Sequence, residues 1–354
     1  MHARRQGQEQ EELMRGFKLA AAAVAISTGL AGAAAAQTIT VGTASTISDA
    51  PIFIADRKGF FKAEGIDVKV TPFKSASDMV APLGTGQLDA GAGSASAGLY
   101  NAVARGIRIK IVADKASSTP GFSGTQVIVR KDHVDSGRFK EVKDFKGMKF
   151  AMNAPGVSNT STLNTLLKSV GLKYSDVETV DLPFPEHVAA LKNKSVDAAV
   201  SVEPAPSIAI RNGDAVLVKR DDQVLPNHQI AVLLYSEEFA LKKTDAARRF
   251  MRAYLRGLRF YNDALKDGRF NGPAADELIT ILTEATPIKN RDLYKLMTPF
   301  GMNPDGKVNA ESLAYDLAFY REQGLIRGDV KLEQVVDNSF AEAAARELGP
   351  YRKN

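Results

Sequence analysis

The chain of 354 residues carries 46 Lys and Arg against 41 Asp and Glu, a formal net charge of +5, with 44% hydrophobic and 25% charged residues. That balance belongs to a folded globular chain with room for two domains, and disorder along its whole length is excluded. Basic and acidic residues alternate without a basic block, which argues against a nucleic-acid partner. Cys is absent and His2, His133, His187 and His228 are scattered, which removes disulfides, thiolate chemistry and HxxxH or HExxH metal pairs.

The chain opens with an apolar run, Leu19–Leu30, preceded by Arg15 and Lys18 and followed by Ala34-Ala35-Ala36 before Gln37. This pattern predicts a signal peptide over residues 1–36. The run is well short of the roughly 20 apolar residues of a membrane span. Glu9, Glu11 and Glu12 do not suit a positive n-region, so translation is expected to begin at Met14, with residues 1–13 a mis-called extension. The mature protein is expected to be exported and soluble, and without Cys it is not a lipoprotein.

Thr38–Thr43 alternates as a strand and Ala44–Asp49 is a Ser/Thr-rich turn. Pro51 suits the first turn of a helix continuing over Ile52–Phe61. Gly59 and Gly65 punctuate, Ile66–Val70 is a second strand, and Ser75–Leu83 a short helix closed by Gly84–Gly86. Leu88–Ala92, the turn Gly93–Ser96, a helix to Ala104, a stop at Gly106 and the strand Ile107–Ala113 form a strand–helix–strand unit. The Ser/Gly/Pro-rich segment Asp114–Gly124 reads as a crossing to the strand Thr125–Arg130.

The pattern then repeats. Lys149–Met152 reads as a strand, Asn153–Asn159 as a turn, Ser161–Ser169 as a helix stopped by Gly171, and Glu178–Leu182 as a strand. GFFKAEGIDVKV at Gly59–Val70 parallels SVGLKYSDVETV at Ser169–Val180, Thr71-Pro72-Phe73 parallels Leu182-Pro183-Phe184, and Asp89-Ala90 parallels Asp197-Ala198. A period of about a hundred residues is too long for a solenoid and points to two similar lobes. Asp221–His228 reads as a return crossing into Gln229–Ser236. Lobe I is expected over 37–118 and 228–354, and lobe II over 119–227. Beyond Glu237 the chain turns helical. Thr244 is placed to cap a long amphipathic helix whose Arg248, Arg249, Arg252, Arg256 and Arg259 read as a solvated face, and Asn309–Gln323 is a further helix stopped by Gly324. These helices are expected to pack on lobe I.

In an open parallel sheet, ligands bind beyond the carboxyl ends of the strands, where helix N-termini offer free N–H groups. Ser45, Thr46, Ser48, Ser94, Ser96, Ser158, Asn159, Thr160 and Ser161 stand at such turns, although the same residue types also serve as N-caps. Ser94–Ser96 and Glu203-Pro204 are expected to face each other across a cleft. Walker, GxGxxG and GxSxG patterns are missing, and Glu203 and Asp114 are isolated carboxylates at strand ends. Candidate aromatic contacts are Phe53, Tyr100, Phe122, Phe184 and Tyr235, and Lys115 or Arg130 could reach inward.

ISDAPIFIADRKGFFKAEGIDVKV, GQLDAGAGS, DFKGMKFAMNAPGVSNTSTLNTLLKSVGL, ALKNKSVDAAVSVEP and RNGDA together resemble the NMT1/THI5-like substrate-binding proteins of ABC importers for nitrate, sulfonates and taurine. The resemblance covers Thr38 to Tyr261. It implies a type II periplasmic-binding fold, with two α/β lobes, two crossings, hinge closure over a ligand and extra C-terminal helices. It further implies a monomer in the periplasm that captures a small ligand, an anion being preferred, and delivers it to an ABC permease. The ligand set so implied, with the neighbouring turn and strand-end positions, is Ser45, Thr46, Ser94, Ala95, Ser96, Asp114, Asn153, Ser158, Asn159, Thr160 and Glu203. No catalytic residue, metal or cofactor is expected. The alternatives are an exported enzyme on the same fold, acting on an aromatic or heterocyclic acid, and a ligand-presenting sensor subunit. The enzymes of the family use cysteines that this chain lacks.

Overall fold

A computed structural model describes residues 36–353; the expected signal peptide, apart from Ala36, lies outside them. Two five-stranded mixed sheets dominate. The first has the order β2-β1-β3-β10-β4, built from β1 (Gln37–Thr43), β2 (Ile66–Pro72), β3 (Ala90–Gly93), β4 (Ile109–Ser118) and β10 (His228–Ser236). The second has the order β7-β6-β8-β5-β9, from β5 (Thr125–Arg130), β6 (Lys149–Met152), β7 (Glu178–Asp181), β8 (Ala198–Val202) and β9 (Ala215–Arg220). In each sheet four strands run in one direction, and the strand that has crossed from the other side is inserted antiparallel to them as β10 or β5. The chain passes from the first sheet to the second between Ser118 and Thr125, and back between Arg220 and His228.

The principal helices are α1 (Ala50–Arg57), α2 (Ala97–Ala104), α3 (Ser158–Lys168), α4 (Phe184–Lys192), α5 (Ala205–Arg211), α6 (Thr244–Asp263), α7 (Ala275–Ala285), α8 (Ala310–Glu322) and α9 (Ser339–Leu348). Period-two alternation sends neighbouring strand residues to opposite cores. Val112, Leu233 and Tyr235 enter one apolar cluster, while Ile111, Val232 and Leu234 enter another. The second sheet divides likewise, with Val127, Val129 and Phe150 on one face and Ile128, Ala151 and Ala199 on the other. Long C-terminal α6 packs on α1 and α9 beside the first sheet.

The Asp-Ala echo has a physical basis. Asp89 Oδ2 accepts the backbone N–H of Thr40 (2.9 Å), and Asp197 Oδ2 accepts that of Lys149 (3.0 Å). Each carboxylate therefore anchors its lobe's first strand just before the third begins. A cation steadies each one: Lys243 Nζ lies 2.9 Å from Asp89, and Arg138 Nη1 lies 3.4 Å from Asp197.

Several local expectations need correction. The helix expected over Ile52–Phe61 is divided at Gly59, whose φ of 70° is left-handed and costs glycine little. The crossing expected to begin at Asp114 starts later, because Asp114–Ser118 continues β4 and pairs with β10. Tertiary partners, described below, satisfy these polar side chains inside the sheet. α3 begins at Ser158, earlier than expected, so its first turn holds the Ser/Asn/Thr run. Thr244 does not cap α6; its hydroxyl turns back to the Ala240 carbonyl at 2.9 Å, out of a preceding π-helical turn, Glu238–Lys242. The arginines of α6 are not simply solvated. Arg249 and Arg252 bond Glu64, Arg259 bonds Asp305 and the Gly349 carbonyl, and Arg256 lies over the Phe60 ring.

Candidate functional site

The lobes meet along a seam of direct hydrogen bonds. Ser94 Oγ and Ser158 Oγ lie 2.9 Å apart, and each is 2.9 Å from the Ile230 carbonyl oxygen. Ala97 N–H donates to the Gly156 carbonyl (2.7 Å), Ile47 N–H to that of Glu203 (3.1 Å), and Asn153 Nδ2 to that of Lys74 (3.0 Å). Gly156 permits the approach, since a Cβ there would stand 2.5 Å from the Ala97 Cβ.

This seam encloses a cavity of about 30 Å³, lined by Ala44, Thr46, Ser48, Ala76, Gly93, Ser94 and Lys115 on one side. Asn153, Ser158, Asn159, Phe184 and Val202 face them from the other, with Ile230 and Ala231 from the returning strand. Lys115, from β4, is 1% exposed; its Nζ lies 2.7 Å from Asp49 Oδ1 and donates to Ser48 Oγ at 2.6 Å. Thr46 Oγ1 reaches the same Ser48 hydroxyl at 2.7 Å, and Thr46 N–H donates to Asp49 Oδ2 at 2.9 Å. The first turn is thus locked to β4 through a buried ion pair. On the facing wall, Asn159 Nδ2 donates to the Val200 carbonyl (3.0 Å), while Asn159 Oδ1 is buried without a hydrogen-bond partner among the described residues.

The structure brings together five of the eleven expected residues: Thr46, Ser94, Asn153, Ser158 and Asn159 line the cavity. Ser45 lines a larger adjoining cavity instead. The other five are set apart from the lining. Ala95 is in the core under the first sheet. Ser96 is the N-cap of α2, accepting the Leu99 N–H at 3.2 Å. Thr160 donates its hydroxyl to the Val157 carbonyl. Asp114 is consumed in a buried clamp, accepting Asn303 N–H (2.6 Å), Gln229 Nε2 (2.6 Å) and Ser117 Oγ (3.2 Å). Nor does the Ser94–Ser96 turn face Glu203-Pro204: Ser94 meets Ser158, and the Glu203 carbonyl meets Ile47. Among the aromatics, Phe53 and Phe184 reach cavities, whereas Tyr100 and Tyr235 are buried in core. Arg130 is engaged by Asp132 and Asp197. The lining role of Lys115 and Ser48 follows from their pairing, which sequence spacing does not encode.

Glu203 is fully buried. Its Oε1 accepts Gln126 Nε2 (2.8 Å), Ser207 Oγ (2.8 Å) and Thr298 N–H (3.2 Å), tying β5, α5 and the segment after α7 together. Burial pushes its pKa up to about 7, against those hydrogen bonds. Burial likewise pushes Asp114 up to about 6. At the return crossing His228 lies between Asp221 (3.1 Å) and Asp316 (3.0 Å). Burial pulls the imidazole down, but the two carboxylates outweigh it and hold the pKa well above the ordinary value. Thr162 donates to Asp221 at 2.6 Å, so α3, the crossing and α8 share one buried network.

The model of the NMT1-like family matches residues 32–268. The chain belongs to the NMT1-like family. Among curated proteins it is similar to a 4-amino-5-hydroxymethyl-2-methylpyrimidine phosphate synthase of Saccharomyces cerevisiae, 26% identical over 218 residues, 57% of this chain and 60% of that relative. The chain thus spans about 60% of the length of the curated relatives it matches. Among solved structures it resembles the ligand-binding component of an ABC-type import system from Staphylococcus aureus, determined with zinc bound. The TM-score is 0.72 at 17% identity, over 88% of this chain and 99% of that one. It also resembles the periplasmic nitrate-binding protein NrtA of Synechocystis, with a TM-score of 0.70 at 16% identity, over 88% and 89% of the two chains. These likenesses show the fold: the NMT1-like chain has the periplasmic-binding architecture, and its strand orders agree with the type II arrangement. Among the described residues no helix is long and apolar enough to cross a membrane, and no group of three or more His, Asp or Glu is placed to hold a metal ion.

Proposed function

We propose that the protein is a periplasmic solute-binding protein, acting as a monomer, that closes two lobes over a small organic ligand and delivers it to an ABC permease. The observation that carries this reading is the polar cavity built jointly by both lobes, with Ser94 and Ser158 meeting at 2.9 Å along its wall. A ligand contacting Thr46, Ser48 and Ser94 on one lobe and Asn153, Ser158 and Asn159 on the other favours the closed arrangement by its differential affinity. The import-system proteins among its structural neighbours support the same reading.

Hydroxyls and the N-terminus of α3 suit the oxygens of a sulfonate, nitrate or carboxylate. Against a bare anion stands the pairing of Lys115 with Asp49, which leaves little uncompensated positive charge. Small-angle scattering during titration with a broad ligand library tests the proposal: at least one compound is expected to reduce the radius of gyration. No compaction with any compound, at concentrations that saturate a bound ligand, contradicts it.

The synthase names of the yeast relatives favour a second reading, an exported enzyme acting on an aromatic or heterocyclic acid. Mass spectrometry of a bound ligand after prolonged incubation separates the two, since only the enzyme changes the ligand's mass.

A further inference from the structure

The polar cavity, at about 30 Å³, has room for one compact group of a few heavy atoms. Beside it lies a second cavity of about 560 Å³, which also includes Thr46 and Phe184 in its walls. Its other walls are mostly apolar, with Phe53 from α1, Val188 from α4, Ile208 from α5, Leu282 from α7 and Tyr294 just beyond, and with Ser45, Asp49 and Thr286 as the main polar exceptions. Both lobes and the C-terminal helices contribute, so this cavity is built by the same lobe seam as the polar one. A ligand anchored in the small cavity and larger than its few-atom capacity extends naturally past Thr46 and Phe184 into the larger one.

The small cavity also specifies the anchor. Lys115 is the one charged residue on its lining, and Asp49 lies 2.7 Å from its Nζ. An oxyanion would therefore lose its water without gaining an uncompensated cation. Asn159 commits Nδ2 to the Val200 carbonyl and keeps Oδ1 as a buried acceptor, while the Lys115 ammonium donates one of its three N–H groups to Ser48 and meets Asp49 through an ionic contact at 2.7 Å. An acceptor-only head leaves Asn159 Oδ1 unsatisfied; a head with a donor beside an acceptor satisfies both walls.

We infer that the ligand is a neutral molecule with a carboxamide-type head in the small cavity and an apolar ring or branched chain in the larger one. This rests on the binding-protein reading above and deepens it.

The test is calorimetric titration of the exported protein, stripped of small molecules in guanidinium and refolded, with 3-phenylpropionamide, 3-phenylpropionate and acetamide. The amide is expected to bind tightest, with the carboxylate and acetamide each weaker by about tenfold or more, for the lost donor and the lost apolar body. Asn159→Ala should narrow the gap between amide and carboxylate. Ile208→Asp, at a half-buried position, should weaken the phenyl probe and leave acetamide unchanged. Carboxylate binding as tight as the amide overturns the head assignment, and acetamide binding as tight overturns the body assignment. Failure of all three at millimolar concentration overturns the inference as a whole. The binding-protein reading fails separately, through the absence of ligand-driven compaction.

Discussion

The hydroxyls of Ser94 and Ser158 come from different lobes and stand 2.9 Å apart, with the Ile230 carbonyl oxygen 2.9 Å from each. Two protons are shared among three oxygens, one from each lobe and one from the strand that returns between them. The neighbours of Ser94 in sequence do other work, and the contrast can be measured. Ser94→Leu should obstruct closure, weakening retention of the host-derived ligand by about tenfold or more, with little change in melting temperature. Ser96→Ala removes the N-cap of α2 and should cost about 1 kcal/mol of stability while leaving retention intact. Equal effects of the two substitutions on retention would contradict the assignment.

Lys115 and Asp49 form a buried ion pair in which both side chains are at most 1% exposed. Removing one partner leaves the other charge uncompensated. Lys115→Met should therefore cost about 3–5 kcal/mol in urea denaturation, whereas Lys115→Met with Asp49→Leu should recover much of that loss. A single substitution as mild as that of an exposed pair, below about 1 kcal/mol, would show the pair to be dispensable.

Glu203 provides a pH signature of defined sign. Its folded carboxyl keeps a proton up to about pH 7, while its ordinary value is 4.5. Between those values the folded state binds more protons than the unfolded one, so this contribution to stability falls as pH rises from about 4.5 to about 7. Asp114, raised to about 6, acts in the same direction over a narrower range. Glu203→Gln should flatten the decline in melting temperature over that window without abolishing it. An unchanged pH profile would place the Glu203 titration elsewhere.

His228 acts in the same direction, although here nearby carboxylates rather than burial raise the folded pKa. Its folded pKa is raised, so its contribution is fully present below the unfolded value of 6.5 and is lost as pH rises through the folded value. Nuclear magnetic resonance of the imidazole carbons should show His228 still protonated at pH 7. A neutral ring at that pH would contradict the Asp221–His228–Asp316 network.

Much of the fold is legible in the chain because it depends on local rules. Strand–helix alternation, Gly stops and the paired Asp89-Ala90 and Asp197-Ala198 signals all survive in the structure. The Asp residues repeat because each anchors an equivalent strand. The extent of β4 was hidden: Asp114, Lys115, Ser117 and Ser118 read as a crossing, and only the partners supplied by Asp49, Gln229 and Asn303 make a strand of them. The site was half legible for a related reason. Ser94, Ser96, Ser158 and Thr160 are alike as residues at helix starts, and whether a hydroxyl caps its own helix or meets the other lobe depends on how the lobes dock. Phe184 stands in both cavities because α4 starts at the seam, which no spacing announces.

The proposed function requires that the seam between the lobes retain a ligand. Native mass spectrometry of the protein purified from its own host, compared with Ser94→Leu prepared in the same way, tests it most directly. A stoichiometric small molecule should be released intact on denaturation of the natural protein and be largely missing from the variant. Equal retention by both, or a protein that carries nothing and yields a chemically altered product when incubated with host extract, would contradict it.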